Sequence, residues 1–265
     1  MKSKLKLSNR IDTPKYLKKK AFYDQLITVY GRKPVLEILE DLSIEIYRLH
    51  LADSNRSGGI IDQILSLAKH RGIETLHHNR SELARISRNS KQDQGVACDI
   101  YCSGYQSFDQ IKESLVAGLP KTLIALDGIN NPQNLGMIIR SVTASPCFGL
   151  LIPAKGIPDI SPLVIKASAG TIFKGNIIRC TNLLDTLKIL KDSGFLICML
   201  ASHDMVPLST LSSNISVVFV LGNESIGVSH QIEEICDCRV GISMRNNVES
   251  LNVAVTAALV AFSRI

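Results

Sequence analysis

The sequence predicts an α/β protein whose larger part is a parallel sheet covered by helices on both faces. From Thr122 onward, strand patterns (TLIALDGI, FGLLIPA, GNIIRC, FLICMLA, VVFVLGN) alternate with helical ones. The strands are continuously apolar instead of alternating, as strands buried on both faces are. Three strand ends also run into unusually polar segments, 126–144, 218–229 and 241–255. In an open parallel sheet the working loops lie at the carboxyl ends of the strands.

Taken in order, the chain opens on a basic arm over 1–25. Lys2, Lys4, Lys6, Arg10, Lys15, Lys18, Lys19 and Lys20 face only Asp12 in its first twenty residues. Such an arm is a phosphate-backbone contact or a solvated tail. The stretch 15–41 then predicts two helical segments, broken at Tyr30-Gly31 and restarted at Pro34. A small α/β unit over 26–104 follows the arm. Its later pieces are a strand at SIEIYRLHL, a helix at GGIIDQILSLAKHRG, a strand at ETLHH, a short helix at SELARIS and a strand at QGVACDIYC. A polar segment, 105–120, reads as the linker to a second domain over 121–265. Beyond the strands named above, that domain carries helices from about 134, near 161–168, over NLLDTLKILKDSG and over SHQIEEICD. A strand at RVGISM and a final helix at SLNVAVTAALVAFSRI complete it. The last helix is apolar on nearly every side, which predicts either full burial or a second subunit against it.

Composition narrows the class. With 265 residues, 45% apolar and 20% charged, the chain has material for a sizeable core and reads as a soluble globular protein. Its net charge of +6 lies in the first half, where 20 Lys and Arg face 14 Asp and Glu through residue 121, against 10 and 10 afterwards. No apolar run is long enough for a membrane span and no secretory leader is readable, so a cytoplasmic location is expected. The seven cysteines include no C-x-x-C pair, and several sit in apolar runs, which predicts reduced, buried thiols. Cys236 and Cys238 lack a companion pair at zinc spacing, so no metal is expected. His77, His78 and His203 belong to no motif and read as surface or loop histidines.

Singly, the polar loop residues have ordinary explanations. Gly222 and Gly227 suit a turn before a helix, Ser250 an N-cap of the last helix and Asn134 a cap of the helix containing Arg140. A dinucleotide-binding oxidoreductase would need G-x-G-x-x-G where this chain has D-G-I-N-N-P. A serine hydrolase would need G-x-S-x-G, and GNESIG has one residue too many before the serine.

Together the loops form a recognisable set: N-x-G-x-x-x-R (Asn134, Gly136, Arg140), L-G-N-E-S-x-G (Leu221 to Gly227), and I-x-M followed by E-S-L-N-V-A-V (Ile242, Met244, Glu249 to Val255). In residue type, order and spacing the set resembles the three motifs of the SpoU family of S-adenosylmethionine-dependent RNA ribose 2'-O-methyltransferases, within the SPOUT superfamily. The ASAGT at 167–171 resembles a family segment between the first two motifs, and VYGRKPVLEIL with DQGVA resembles the small RNA-binding domain that precedes the catalytic one in many members.

The resemblance implies a knotted α/β methyltransferase domain, a homodimer with its active site near the interface, S-adenosylmethionine as cofactor and RNA as partner. The two-domain layout points to a guanosine of large-subunit ribosomal RNA, with transfer RNA as the alternative and a non-catalytic RNA-binding protein as the third reading. Carried over, Arg140 lies at the reacting nucleotide and Asn134 orients it. Glu224, Ser250 and Asn252 supply hydrogen bonds to the arginine, the RNA or the cofactor. Gly222, Ile242 and Leu251 hold the cofactor through their backbone, beside Leu221, Asn223 and Met244. A planar, permanently charged guanidinium suits a grip on the phosphate beside the target ribose. The general-base role also entertained for that arginine in the family demands an extreme loss of proton affinity. Four positions depart from the family pattern: Asn131 for aspartate, Met137 for alanine, Ser243 for proline and Asn246 for glycine. The last two are expected to loosen a loop of the cofactor pocket.

Overall fold

The computed structural model describes residues 22–263 apart from 24, 25, 43, 103, 204, 213 and 247. The basic arm, Phe22 and Tyr23 excepted, therefore lies outside the described residues. Two sheets organise the rest.

The first is four-stranded. Strands β1 (Leu26–Tyr30), β2 (Ile46–Ala52), β3 (Thr75–His78) and β4 (Val96–Tyr101) lie in the order β1-β4-β2-β3, with β2 and β3 parallel and the other pairs antiparallel. Helices α1 (Arg32–Glu40) and α2 (Ile60–His70) pack together, and α3 (Arg80–Ser87) places Leu83 against Ala52 and Ala97. A capping box starts α3, Asn79 Oδ1 accepting from Glu82 N at 3.0 Å while Glu82 Oε2 accepts from Asn79 N at 3.1 Å. The segment LITVY, expected to be helical, is instead β1. Its Ile27, Thr28 and Val29 are branched at Cβ, Ile27 and Val29 alternate into the core, and pairing with β4 supplies a partner that a local helical pattern cannot reveal.

A polar rail crosses this sheet from edge to edge in strand order. Thr28 Oγ1 donates to Asp99 Oδ1 at 2.6 Å, His50 Nε2 lies 3.1 Å from Asp99 Oδ2, and His50 Nδ1 lies 2.9 Å from His78 Nε2. His50 and Asp99 are both buried.

The second sheet has eight strands, all parallel, in the order β10-β12-β9-β11-β6-β7-β8-β5. They are β5 (Tyr105–Ser107), β6 (Thr122–Leu126), β7 (Gly149–Pro153), β8 (Ile177–Cys180), β9 (Leu196–Leu200), β10 (Val206–Pro207), β11 (Val217–Leu221) and β12 (Cys238–Gly241). The central strands β7 and β11 are buried along their whole length, as their unbroken apolar runs require. Alternate residues of β6 enter opposite cores. Ile124 and Leu126 join Leu135, Ile138 and Val142 of α5 (Pro132–Ala144), Val164 of α6 (Pro162–Ala167) and Ala257 of α9 (Val253–Ala261). Leu123 and Ala125 join Phe108 of α4 (Phe108–Val116), Leu187 of α7 (Leu183–Asp192) and Ile232 of the short α8 (His230–Glu233).

The stretch read as a linker therefore carries β5 and α4 as part of the larger sheet. The strand is three residues long, too short for a periodicity to show. Between β4 and β5 the chain is pinned: Cys102 Sγ donates to Ile172 O at 3.3 Å, and Ile177 N donates to Gly104 O at 2.6 Å. A Cβ on Gly104 would stand 2.0 Å from Gly175 O, so only glycine passes there.

Candidate active site

All carboxyl ends of a parallel sheet share one edge, so the loops after β6, β11 and β12 meet there. The loop after β6 is fastened to the loop after β11 twice. Ser229 N donates to Asp127 Oδ2 at 2.7 Å, and Asn223 Nδ2 donates to Gly128 O at 2.8 Å. Asn223 also folds its own loop. Its Oδ1 accepts from Ser225 N at 2.9 Å and Ile226 N at 3.3 Å, and its backbone exchanges two 2.9 Å bonds with Gly227. At Gly222 a Cβ would lie 2.2 Å from the carbonyl carbon of Gly227, so the fold-back of this loop by itself requires glycine. Leu221 is buried at the end of β11, its carbonyl accepting from Asp127 N at 2.9 Å.

The caps differ from expectation by a few residues. Asn131, not Asn134, caps α5, its Oδ1 accepting from Gln133 N at 2.8 Å, and Pro132 occupies the first turn. Asn252, not Ser250, caps α9, its Oδ1 accepting from Ala254 N at 2.9 Å. This leaves Asn134 for other work. It is 4% exposed; its Nδ2 donates to Glu224 Oε1, and its Oδ1 accepts from Asn252 Nδ2 at 3.2 Å. The amide orientations follow from the partners. A carboxylate only accepts, so it takes the Nδ2 of Asn134; the Oδ1 of Asn252 is held by the α9 N-terminus, so its Nδ2 is what reaches Asn134. One buried asparagine thus joins all three motifs.

Other carried-over residues are not drawn into this chain of bonds. Arg140 is six residues beyond Asn134, about 9 Å along the axis and on a different face. It is exposed, in line with Gln133 and Met137, and has no hydrogen bond or ion pair among the described residues. Ser250 and Leu251 are exposed, and Ile242 and Met244 half-buried. From Ile242 to Met244 and from Glu249 to Leu251 the main chain makes no backbone hydrogen bond among the described residues. Unpaired amides and carbonyls beside Ile242, Met244 and Leu251 are a donor set suited to the edge of a purine and to an apolar thioether chain, so the residues present fit the cofactor that the motifs imply. Asn246, expected to loosen this loop, has φ 56, a left-handed conformation that asparagine tolerates and that glycine would also take. Gly136 serves packing instead, since a Cβ there would meet Val164 O at 2.6 Å, and its absence lets α6 lie against α5.

Asp127 and Asn131 were missed as site-building residues. Their signal was the density of Asp and Asn in LDGINNP, which reads as turn chemistry until the partner loop is known. Burial pushes the thiols of Cys102, Cys180 and Cys236 up to about 11, which keeps them protonated and weakly nucleophilic. Among the described residues no cluster of His, Cys, Asp and Glu is arranged to hold a metal, and no helix is long and apolar enough to cross a membrane.

Comparison with known proteins agrees with this geometry. The signature of the SpoU rRNA Methylase family matches residues 121–262, and that of the RNA 2'-O ribose methyltransferase substrate binding domain matches 28–105. An uncharacterized tRNA/rRNA methyltransferase of Mycobacterium sp. (strain KMS) is 34% identical over 238 residues, covering 89% of this chain and 75% of the relative. One from Mycolicibacterium paratuberculosis is 34% identical over 233 residues, with 88% and 75% covered. Among solved structures, the AdoMet-bound rRNA methyltransferase from Sinorhizobium meliloti superposes with a TM-score of 0.61 at 22% identity, covering 99% of this chain and 97% of its own. The SpoU methyltransferase AviRb from Streptomyces viridochromogenes, in complex with AdoMet, gives 0.60 at 18% identity over 92% and 91%. The knotted α/β class implied by the motifs is thus the class of this fold, and the chain belongs to the SpoU rRNA methylase family.

Proposed function

We propose that this chain transfers the methyl group of S-adenosylmethionine to the 2'-hydroxyl of a ribose in structured RNA, a guanosine of large-subunit ribosomal RNA, in the cytoplasm and as a homodimer. The observation that carries the reading is the Glu224–Asn134–Asn252 chain, which fixes the three family loops against one another at the carboxyl edge of the sheet. The names of the relatives and the AdoMet-bound structural neighbours support the cofactor and the RNA substrate.

The cofactor supplies an activated methyl on a sulfonium, so the protein's share is alignment and charge. Gly222, Ile242 and Leu251 offer main-chain groups to hold it, and the Asn223 bolts set the loop from which they do so. Arg140, unpaired and exposed, grips the phosphate beside the target ribose and offsets charge developing on the hydroxyl oxygen. Glu224 uses one carboxylate oxygen on Asn134 and keeps the other for the ribose or for Arg140.

A homodimer is supported by the uncovered apolar stripe on two packed helices: Met137 on α5, Val255 and Leu259 on α9, and Phe262 at the C-cap of α9, each 41–49% exposed. Because Arg140 shares the stripe with Met137, a second copy docked there walls the guanidinium on its open side. The deciding experiment is transfer of a labelled methyl from S-adenosylmethionine to total RNA from cells lacking the gene, followed by nucleoside analysis. Label in one RNA as a 2'-O-methylated nucleoside is expected, falling at least about 100-fold with Arg140→Ala. Label on a base, or none despite cofactor binding, would refute the assignment.

A further inference from the structure

A cleft of about 460 Å³ opens between the two domains, and no part of the catalytic chain of bonds lies in it. One wall is β1 and the end of α3, with Tyr30, Arg85 and Arg88; the other is the end of β7, the segment after it with Pro158 and Asp159, and Arg179 of β8. The arginines distinguish it. Arg32, Arg48, Arg71 and Arg239 are tied to side chains or carbonyls of the protein, and Arg56, Arg80, Arg140 and Arg245, which have no such bond among the described residues, lie outside this lining. Arg85, Arg88 and Arg179 have no hydrogen bond or ion pair among the described residues, though all three line one cleft. Facing them, Asp99 is already engaged by Thr28 and His50, which leaves Asp159 as the open carboxylate of the lining. Arg88 also sits at φ 54, ψ 14, a left-handed C-cap that turns the chain into the cleft. Three unpaired guanidiniums against one carboxylate make an anion site.

The rest of the lining combines polar Thr28, Ser87 and Asn89 with apolar surfaces. Tyr30 and Ile86 both pack on the Ala52, Leu83 and Ala97 cluster, and the Tyr30 hydroxyl accepts from Asn89 Nδ2 at 3.0 Å, so the ring is held in place. Pro158 presents a second apolar face. The volume falls in the roughly 300–1,000 Å³ range of small-ligand pockets and is far too small for a duplex. Its position is equally specific. Pro153 ends β7, the neighbour of β6, and the next strand is β8, so the cleft opens on the same sheet edge as Asn134, one or two strand spacings of about 5 Å away.

We infer that this cleft seats an unpaired ribonucleotide adjacent in the RNA chain to the methylated one, its phosphate on Arg88 and Arg179 and its base against Tyr30. This rests on RNA being the substrate and adds the requirement that the target be single-stranded next to the reacting ribose. Stacking plus phosphate contact is how proteins hold unpaired RNA.

The test is fluorescence anisotropy of the full chain with a labelled single-stranded RNA oligonucleotide of mixed sequence across a salt series, with S-adenosylmethionine binding followed by calorimetry. The double variant Arg88→Gln/Arg179→Gln is expected to bind the strand about tenfold more weakly and to lower the log–log salt slope by roughly 0.7, the worth of the one phosphate the two arginines share. Ala154→Trp, at an exposed position of the lining, is expected to weaken binding with the slope unchanged. Arg56→Gln, exposed and outside the cleft, should leave affinity as it was, and an RNA duplex of equal length should compete poorly. Wild-type affinity in the double variant or in Ala154→Trp, or equal competition by the duplex, overturns the cleft assignment. Failure of the wild-type chain to bind S-adenosylmethionine, with these RNA results intact, would instead refute the methyltransfer reading alone.

Discussion

The molecule contains two linear polar chains, and they are built on opposite plans. In the N-terminal domain, Thr28, Asp99, His50 and His78 run across four strands that backbone ladders already hold in register. In the catalytic domain, Glu224, Asn134 and Asn252 run across three loops that no ladder joins to one another. The same chemistry therefore does different work. Between strands it satisfies polar groups that burial would otherwise leave unpaired, and its value is stability. Between loops it sets where the reacting groups stand, and its value is geometry.

The largest effect that separates the two is expected at Asn134. Asn134→Ala should reduce kcat/KM for methyl transfer about 100-fold, with chemical denaturation showing a loss of no more than about 1.5 kcal/mol, the ordinary worth of a hydrogen bond. His50→Ala should do the reverse. Stranding the buried Asp99 carboxylate and a ring nitrogen of His78 costs about 2–4 kcal/mol, while the rate per folded molecule stays within about twofold. Equal stability losses in the two variants would break the distinction. Gly104→Ala sharpens it, since a Cβ 2.0 Å from Gly175 O strains the passage between the domains and should cost about 1–3 kcal/mol by denaturant titration, with S-adenosylmethionine binding preserved. Asn131→Ala removes a cap and should cost about 1 kcal/mol, with a measurable fall in rate because α5 carries Asn134.

The smallest effect concerns pH. Burial first, and His50 next, hold His78 below its ordinary range. A histidine that resists protonation when folded contributes stability above the ordinary histidine range and loses it as pH falls through about 6.5. The melting temperature should therefore drop between pH 7.5 and 5.5, and His78→Gln should flatten that drop while the rate profile keeps its shape.

Much of this was legible in the residues. The unbroken apolar runs of β6, β7, β9 and β11 declared a parallel sheet, and the polar ends of β6, β11 and β12 singled out the loops that the fold joins by hydrogen bonds. What stayed hidden depended on partners distant in the chain. A cap and a buried anchor are both asparagines, and Asn131 and Asn134 separate only once Glu224, ninety positions on, is seen to hold the second. The segment LITVY paired with residues seventy positions away, and three residues of β5 were too few to announce a strand. The interdomain cleft had no sequence signal, because Arg88 and Arg179 meet only through the packing of one domain on the other. Arg140 was named from the motif, and the fold adds that it stands apart from the bonded chain, on an exposed face of α5.

The passage from β4 to β5 bears on how the two domains can be separated. Pinned at Cys102 and Gly104, it behaves less like a tether than like a soldered corner, and β5 completes the rim of a sheet that belongs to the other domain. A chain severed at the nominal boundary near residue 120 would strip β8 of its neighbour and leave a bare hydrogen-bonding edge, inviting aggregation. The intact corner makes the smaller sheet and the larger one a single mechanical unit, so a cut that separates them should cost the larger one part of its own rim.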